Sequence, residues 1–248
     1  MTRTYKYRLI FFAFMSAFLT AATPDYRNTP PEGFVRLTEF IPGILIHPGY
    51  HYADNFTGAP LPGYGAPDAW MLEKPALALK RVQETLSQRG LGLLVYDAYR
   101  PRRATQGMVA WAKRNDLMQL FTDGYIAKYS GHNHGHTVDL TLVDRSTGTP
   151  LDMGTPWDTL NTKSHTNNAT GQVLNNRLLL RKVMQEAGFR PYYKEWWHFS
   201  MKMDNSKPRD VPYGCFEARE WRWTPPVHWD QAGFTMPQSW SPSACTTD

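Results

Sequence analysis

Two short segments about sixty residues apart carry the residue types of a metal site, and they constrain the fold because they must meet in space. The first, residues 130–139, contains three histidines and ends in an aspartate. The second, residues 195–198, reads Glu-Trp-Trp-His. A catalytic zinc site needs three protein ligands, an open fourth position, and a base beside the water that fills it. We expect Glu195 to be the base and the three ligands to be His132, Asp139 and His198.

The spacing within each segment predicts its local geometry. His132 and Asp139 are seven residues apart, and Gly135 between them allows the chain to turn sharply. Residues 137–142 alternate polar and apolar side chains, the period of a half-buried strand whose hydrophobic side faces away from Asp139. In the second segment the glutamate and the histidine would face opposite ways on a regular strand. We therefore expect a turn or bulge at Glu195.

Each of these residues has a simpler interpretation when it is taken alone. His198 could be a buried structural histidine among tryptophans, and Asp139 a turn or capping residue. The combination of residue types, rather than any single residue, indicates the metal site. His134 and His136 are additional histidines in the first segment. We expect them to lie at the surface or to support the ligands.

The remaining periodicity predicts an α+β fold. Helices are expected over residues 75–89, from Pro101 onwards, and over about 175–187. Residues 93–96 form an apolar run typical of a buried strand, and a last strand would continue from the second segment through Ser200. Because helices and strands alternate without a regular βαβ repeat, we expect a small, mostly antiparallel central sheet flanked by helices.

Composition divides the chain into three parts. Residues 1–22 have basic residues, then an apolar run of about eleven residues, then small residues, which is the pattern of a secretory signal peptide. A membrane anchor is the weaker interpretation because a helix needs about twenty apolar residues to cross a bilayer. We expect cleavage after Ala22, a periplasmic location, and a zinc-binding domain over residues 23–204. Residues 205–248 are rich in Pro, Trp and Ser, and we expect a loop-rich extension packed on the domain.

The charge of the chain argues against nucleic acid as a partner. The formal net charge is +5, but three of the 27 basic residues lie in residues 1–22, which hold none of the 22 acidic ones. The mature chain would therefore carry a net charge of about +2 without Lys/Arg runs, which also argues against stable membrane-surface association. Its oligomeric state stays open.

The only two cysteines are Cys215 and Cys245. In an oxidising compartment a disulfide between them is the favoured interpretation. Two free thiols are the alternative, because the sequence does not show whether these residues meet in space.

The two segments together resemble the D-alanyl-D-alanine dipeptidase family. The pattern is Ser-x-His-x-x-Gly-x-x-x-Asp followed by Glu-Trp-Trp-His, and it is shared with a wider group of zinc D,D-peptidases that includes carboxypeptidases. Further blocks resemble the dipeptidases in particular. These blocks are Asp54-Asn-Phe-Thr-Gly58 with Gly63-Tyr64, Tyr99-Arg-Pro101, and Met153-Gly154 with Trp157-Asp158. The resemblance runs from about residue 54 to about residue 200, and the chain departs from it at Thr137, where the wider motif usually has alanine.

The resemblance implies one Zn²⁺ per chain and a role for each matching residue. Glu195 would take a proton from the attacking water and pass it to the leaving nitrogen, and Arg100 would stabilise the developing oxyanion. Asp158 and Tyr64 resemble the residues that receive the ammonium group of the substrate, and Ser130 resembles one that holds its carboxylate. A surface salt bridge for Arg100 and a turn role for Asp158 are the simpler alternatives.

These roles imply that the substrate is the small molecule D-Ala-D-Ala, hydrolysed to two D-alanines in peptidoglycan turnover or salvage. An anionic anchor for the free amine would restrict the enzyme to dipeptides. The nearer alternative is a zinc D,D-carboxypeptidase that trims peptidoglycan stem peptides and leaves the amine side open. The other is a binding module without turnover, whose mark would be the loss of Glu195 or Arg100, and both residues are present.

Overall fold

The computed structural model describes residues 28–53 and 55–214 of the chain. The expected signal peptide (1–22), Asp54 and the expected disulfide between Cys215 and Cys245 lie outside the described residues. The strands are β1 Phe34–Arg36, β2 Leu45–Ile46, β3 Trp70–Leu72, β4 Leu91–Asp97, β5 Thr137–Asp144, β6 Phe189–Pro191 and β7 His198–Met201. The helices are α1 Leu37–Phe40, α2 Glu73–Ser87, α3 Arg102–Arg114, α4 Gln119–Thr122 and α5 Gly171–Glu186.

The strands form two sheets. A two-stranded antiparallel sheet pairs β1 with β3, and a five-stranded sheet has the order β2-β4-β5-β7-β6. In the larger sheet only β2 and β4 run parallel, and the other three pairs of neighbours are antiparallel. This arrangement confirms the predicted α+β class with a mostly antiparallel sheet. The two metal-site segments become neighbours because β5 and β7 are adjacent.

The prediction that β5 is half-buried is wrong. Its apolar residues Val138, Leu140 and Leu142 lie in the core, as expected, but the alternating polar residues are buried too. Thr137, Asp139 and Thr141 are only 0%, 2% and 1% exposed. The alternation of polar and apolar side chains is present, but both faces of β5 are buried.

The described residues pack into two hydrophobic cores. The larger lies between the five-stranded sheet and helices α2 and α5, and it contains Leu79, Val95 and Leu180. The smaller is largely aromatic, lies against α3, and contains Tyr50, Tyr64, Trp70, Tyr99 and Tyr213.

Across residues 28–53 and 55–214, no helix combines the length and the apolar character that crossing a membrane requires.

Candidate active site

Three side chains with metal-ligand chemistry meet at one end of the β5–β7 pair. Asp139 and His198 are directly opposite each other in the sheet, and His132 comes from the 3-10 turn Gly131–His134 that leads into β5. His132 Nε2 lies 3.3 Å from Asp139 Oδ1 and 3.4 Å from His198 Nδ1. The remaining distance, from His198 Nδ1 to Asp139 Oδ1, is 2.9 Å. Ligands at about 2.1 Å from a tetrahedral zinc ion lie about 3.4 Å apart, so this donor set fits the metal.

The turn that presents His132 is built by its own sequence. Ser130 Oγ accepts a hydrogen bond from the His132 backbone N–H at 3.2 Å, and the Asn133 side chain accepts one from the Ser130 N–H. Gly135 then ends the turn with φ +74°, a left-handed conformation that strongly favours glycine. The sharp turn expected between the two ligands is therefore at Gly135.

Both imidazoles point one nitrogen towards the candidate metal position and hold the other elsewhere. His132 Nδ1 lies 2.7 Å from the Ala98 carbonyl oxygen, which can only accept, so this nitrogen carries the proton and Nε2 is free to bind metal. His198 uses Nδ1 towards the site, and its Nε2 lies 3.4 Å from Ser200 Oγ. Burial opposes ionisation of Asp139, but the adjacent His132 and His198 hold the pKa of its carboxyl well below the usual range.

Glu195 lies beside the three candidate metal ligands His132, Asp139 and His198 (the triad). It does so because the chain turns at Glu195, as the sequence predicted. The Glu195 N–H donates to the Tyr192 carbonyl at 3.1 Å, and the His198 N–H donates to the Glu195 carbonyl at 3.2 Å. As a result, Glu195 Oε2 lies 3.6 Å from His198 Nδ1. Burial raises the pKa of Glu195 well above its usual range, and the negative charges of Asp139 and Asp158 raise it further. A carboxylate with a raised pKa is a stronger general base near neutral pH.

Arg100 is a buried cation in the same site rather than a surface salt-bridge residue. Its guanidinium lies 2.8 Å from Asp97 Oδ2 and 3.8 Å from Asp139 Oδ2, and it packs 5.0 Å from the centre of the Tyr50 ring. Asp97 is opposite Asp139 in the sheet, after an irregularity in the β4–β5 register. Asp97 Oδ2 also lies 3.2 Å from His132 Nδ1. One carboxylate therefore holds both the cation and a candidate metal ligand.

Asp158 lines the same cavity as the triad, together with Ser130, Glu195 and Arg100. Its backbone is left-handed, with φ +59°. Within the described residues, Asp158 Oδ2 is buried without a hydrogen-bond partner, whereas a hydrogen bond from Tyr50 stabilises the ionised carboxylate. Burial raises the pKa of Asp158 well above its usual range, and the charge of Asp139 adds to this shift. An ammonium group in the cavity would give Asp158 Oδ2 the partner that it lacks.

Tyr64 lies apart from the other residues that the resemblance assigns to substrate binding. It is only 1% exposed and is not among the residues that line the cavity. Its hydroxyl donates to Asp97 Oδ1 instead. Tyr64 therefore contacts the carboxylate that holds Arg100, and its expected contact with the substrate ammonium group stays a prediction.

Asp97 and Tyr50 belong to the site, although the sequence patterns did not single them out. Asp97 had a usable signal, since it ends β4 and lies three residues before Arg100. Tyr50 had none, because it comes from a separate 3-10 turn, Gly49–His51. The extra histidines lie outside the triad: His134 Nδ1 is 3.0 Å from the Ser206 carbonyl oxygen, and His136 Nδ1 is 3.3 Å from Thr137 Oγ1.

The cavity has a volume of about 650 Å³, enough for a small substrate and several waters. All residues from 121 to 131 except Asp123 line the cavity, as do the triad and Glu195. The site thus holds two imidazoles and a carboxylate for a metal, a buried base, a fixed cation, and a second carboxylate with one oxygen that lacks a partner. These are the components of metal-dependent hydrolysis of a small substrate that carries an amine.

Comparisons with known proteins agree with this chemistry. The model of a peptidase family described as D-ala-D-ala dipeptidase matches residues 31–218. A D-alanyl-D-alanine dipeptidase of Enterococcus faecalis is 35% identical over 188 residues, covering 68% of this chain and 92% of the relative. The enzyme of the same name from Streptomyces coelicolor is 35% identical over 184 residues, covering 68% and 91%. The one from Escherichia coli K12 is 34% identical over 185 residues, covering 73% and 92%.

Proposed function

This chain belongs to the D-ala-D-ala dipeptidase family of metallopeptidases, and from that premise we propose that it hydrolyses free D-Ala-D-Ala to two molecules of D-alanine. One zinc ion per chain would be held by His132, Asp139 and His198. The observation that carries the proposal is the Asp158 Oδ2 atom, which is buried without a hydrogen-bond partner among the described residues, on a carboxylate that lines the same cavity as the triad. It supports a substrate with a free amine close to the scissile bond.

The residues of this chain divide the reaction between them. Zinc bound at the triad would polarise the peptide carbonyl and lower the pKa of water to about 7. Glu195 accepts a proton from the water that attacks the carbonyl carbon, and it delivers that proton to the nitrogen as the C–N bond breaks. Arg100 stabilises the negative charge that develops on the carbonyl oxygen. Asp158 holds the ammonium group, and Ser130 helps to hold the carboxylate.

The test is D-alanine release from free D-Ala-D-Ala and from its N-acetylated form, with and without a chelator. We expect turnover of the free dipeptide alone, and loss of turnover with the chelator. Glu195→Gln should lower kcat by about 100-fold or more, because a general base contributes about that much, while the protein retains its zinc. Glu186→Gln is the matched control, since Glu186 lies on the exposed surface of α5.

Other outcomes distinguish the alternatives. Turnover of the acetylated dipeptide would reassign the protein to the carboxypeptidases and remove the role of Asp158. Zinc binding without turnover of either substrate would indicate a binding module. Equal activity in Glu195→Gln and the wild type would contradict the proposed base.

We also propose that the reaction takes place outside the cytoplasm, in turnover or salvage of peptidoglycan dipeptides. The signal-peptide pattern of residues 1–22 supports this location. Cell fractionation with mass measurement of the N-terminal peptide tests it. A periplasmic protein that begins at Thr23 is expected, whereas a cytoplasmic protein with residues 1–22 intact would contradict export.

A further inference from the structure

Two cross-strand pairs lie side by side on one face of β5 and β7. Asp139 is opposite His198, and two residues away Thr137 is opposite Ser200. The His198 imidazole lies between the Asp139 carboxylate and the Ser200 hydroxyl. Its Nδ1 is 2.9 Å from Asp139 Oδ1, and its Nε2 is 3.4 Å from Ser200 Oγ. Within residues 28–53 and 55–214, the Ser200 hydroxyl is therefore the only group that contacts the far side of this imidazole through a hydrogen bond.

The hydroxyl groups continue into a chain of hydrogen bonds that leads away from His198. Ser200 Oγ lies 2.8 Å from Thr137 Oγ1, which in turn lies 3.3 Å from His136 Nδ1. If His198 presents a lone pair at Nδ1, its proton must be on Nε2. Nε2–H then donates to Ser200, the Ser200 hydroxyl donates to Thr137, and the Thr137 hydroxyl donates to His136. Every donor in the chain has an acceptor in this direction.

Gly131 leaves room for this chain. Thr137 is fully buried, and its hydroxyl occupies the position where a side chain at residue 131 would begin. A Cβ on Gly131 would overlap the Thr137 hydroxyl, so an alanine there must displace it. The sequence thus keeps a glycine beside a buried threonine whose hydroxyl bonds to Ser200.

We propose that Ser200 and Thr137 are positioning residues that fix the tautomer and the ring orientation of His198 for metal binding through Nδ1. They would do for His198 what the Ala98 carbonyl does for His132. Groups that bond to the second nitrogen of a metal-binding histidine typically change metal affinity by about 10- to 100-fold. This inference rests on the proposed function only in requiring that the triad binds zinc.

The first test is zinc affinity, measured by competition with a chromophoric chelator, which needs no catalytic activity. We expect Ser200→Ala to raise the zinc Kd by about 10-fold or more, and Thr137→Val and Gly131→Ala to raise it by a smaller factor. Thr137→Ser keeps the hydroxyl and should restore most of the affinity. Thr141→Val is the matched control, because Thr141 is buried on the same face of β5 and its hydroxyl has no partner among the described residues.

The second test is the ¹⁵N chemical shift of the His198 ring in the zinc-loaded protein. We expect a protonated Nε2 in the wild type and in Thr141→Val, and faster exchange of that proton in Ser200→Ala. Equal zinc Kd values for the wild type, Ser200→Ala and Thr137→Val would overturn the inference while leaving the proposed function intact. A wild-type protein that binds no zinc would overturn the proposed function itself. Circular dichroism of each variant separates lost affinity from lost folding.

Discussion

Asp97 is the residue on which the buried charges of the site depend most directly. It is 1% exposed, and its carboxylate contacts the Arg100 guanidinium at 2.8 Å and His132 Nδ1 at 3.2 Å. The Tyr64 hydroxyl donates to its other oxygen. Without this carboxylate, the nearest negative charge to Arg100 in the part of the chain that the structure describes is Asp139, at 3.8 Å. Asp139 is also needed as a candidate metal ligand, so it cannot replace Asp97.

Replacing Asp97 by asparagine keeps the shape of the side chain and removes its charge. We expect Asp97→Asn to lower the free energy of unfolding by about 3 kcal/mol, because it leaves a buried guanidinium without its partner. The kcat should fall as well, since Arg100 loses its fixed position. Urea denaturation and steady-state kinetics measure the two effects. Lys182→Met breaks the exposed pair with Glu186 on α5 and should cost no more than about 0.5 kcal/mol. Equal losses in both variants would contradict this account of Asp97.

The residues of the site differ in how far the sequence revealed them. His132, Asp139, Glu195 and His198 were predictable because residues with metal-ligand or acid–base chemistry lie close together within two short segments. Tyr50 was not, because it reaches the cavity from a distant turn and its residue type is common in cores. The place of Tyr64 in the aromatic core was not predictable, because a motif gives the order of residues and not the layer of the structure in which a side chain lies.

Between the turn and strand β5, residue 135 must be glycine both because its backbone is left-handed and because Phe34 packs against it. Gly135 and Gly90 have nearly the same positive φ, +74° and +70°. A Cβ at Gly135 would overlap the Phe34 ring, whereas one at Gly90 would meet nothing within 4 Å. The two glycines therefore separate the cost of left-handed backbone from the cost of steric overlap.

We expect Gly90→Ala to destabilise the protein by about 1–2 kcal/mol, the strain of a left-handed alanine. Gly135→Ala should cost about 3 kcal/mol or more, because overpacking adds to the same strain. It should also weaken zinc binding, since the turn sets the position of His132 relative to Asp139. Thermal denaturation and zinc titration of both variants measure this difference. Similar effects of the two substitutions on both measurements would show that the Phe34 contact is unimportant.

The turn that follows β5 depends on the charge of Asp144. This exposed carboxylate accepts hydrogen bonds from the Ser146 hydroxyl and from the backbone N–H groups of Ser146 and Thr147. The Ser146 hydroxyl makes the largest contribution to a pKa below the usual range, followed by the backbone N–H groups. Because the folded pKa is below the unfolded one, the charge stabilises the fold at neutral pH, and that stabilisation is lost as the pH falls.

We therefore expect Asp144→Asn to lower the Tm at pH 7, where the ionised carboxylate stabilises the turn. The difference from the wild type should stay constant down to about pH 5 and then shrink as the pH falls through about 3.9 towards the folded pKa. Thermal denaturation of both proteins from pH 7 to pH 3 measures it. Glu84→Gln on α2 serves as a surface control. A Tm difference for Asp144→Asn that grows as the pH falls would contradict the assigned direction.

The elements themselves were predictable in proportion to their length. The long segments of α2, α3 and β4 carry enough periodic positions to be recognised, and their bounds differ from the predictions by only a few residues. Strands β1, β3 and β6 have three residues each, too few for a period to appear. Helix α5 begins at Gly171, before the predicted start, and its N-cap Thr170 makes no side-chain hydrogen bond that would have marked it.

Across the whole domain, residues 205–214 connect the turn that carries His132 to the aromatic core. The Arg209 N–H donates to the Asn133 carbonyl at 2.8 Å, and the Arg102 N–H donates to the Arg209 carbonyl at 3.1 Å. The Asp210 carboxylate accepts from the backbone and side chain of Arg103 at the start of α3. The beginning of the expected extension is thus bonded to the turn that carries His132 and to the helix that follows Arg100.

Tyr213 makes the most deeply buried of these connections. Replacing it should lower the free energy of unfolding and leave zinc binding unchanged. Its buried hydroxyl donates to the Tyr99 carbonyl at 2.6 Å and accepts from the Trp70 N–H at 3.2 Å. Tyr213→Phe leaves both groups buried and unpaired, so we expect a loss of about 2 kcal/mol and a Tm lower by about 4–8 °C. The zinc Kd should not change, because Tyr213 lies behind the cavity and is not among its lining residues. Tyr193→Phe, on an exposed side chain, should leave the Tm within about 1 °C, consistent with the small effect of surface substitutions. A Tyr213→Phe protein with a wild-type Tm would show that residues 205–214 contribute little to the stability of the domain, whereas a raised zinc Kd would show that they also position the metal ligands.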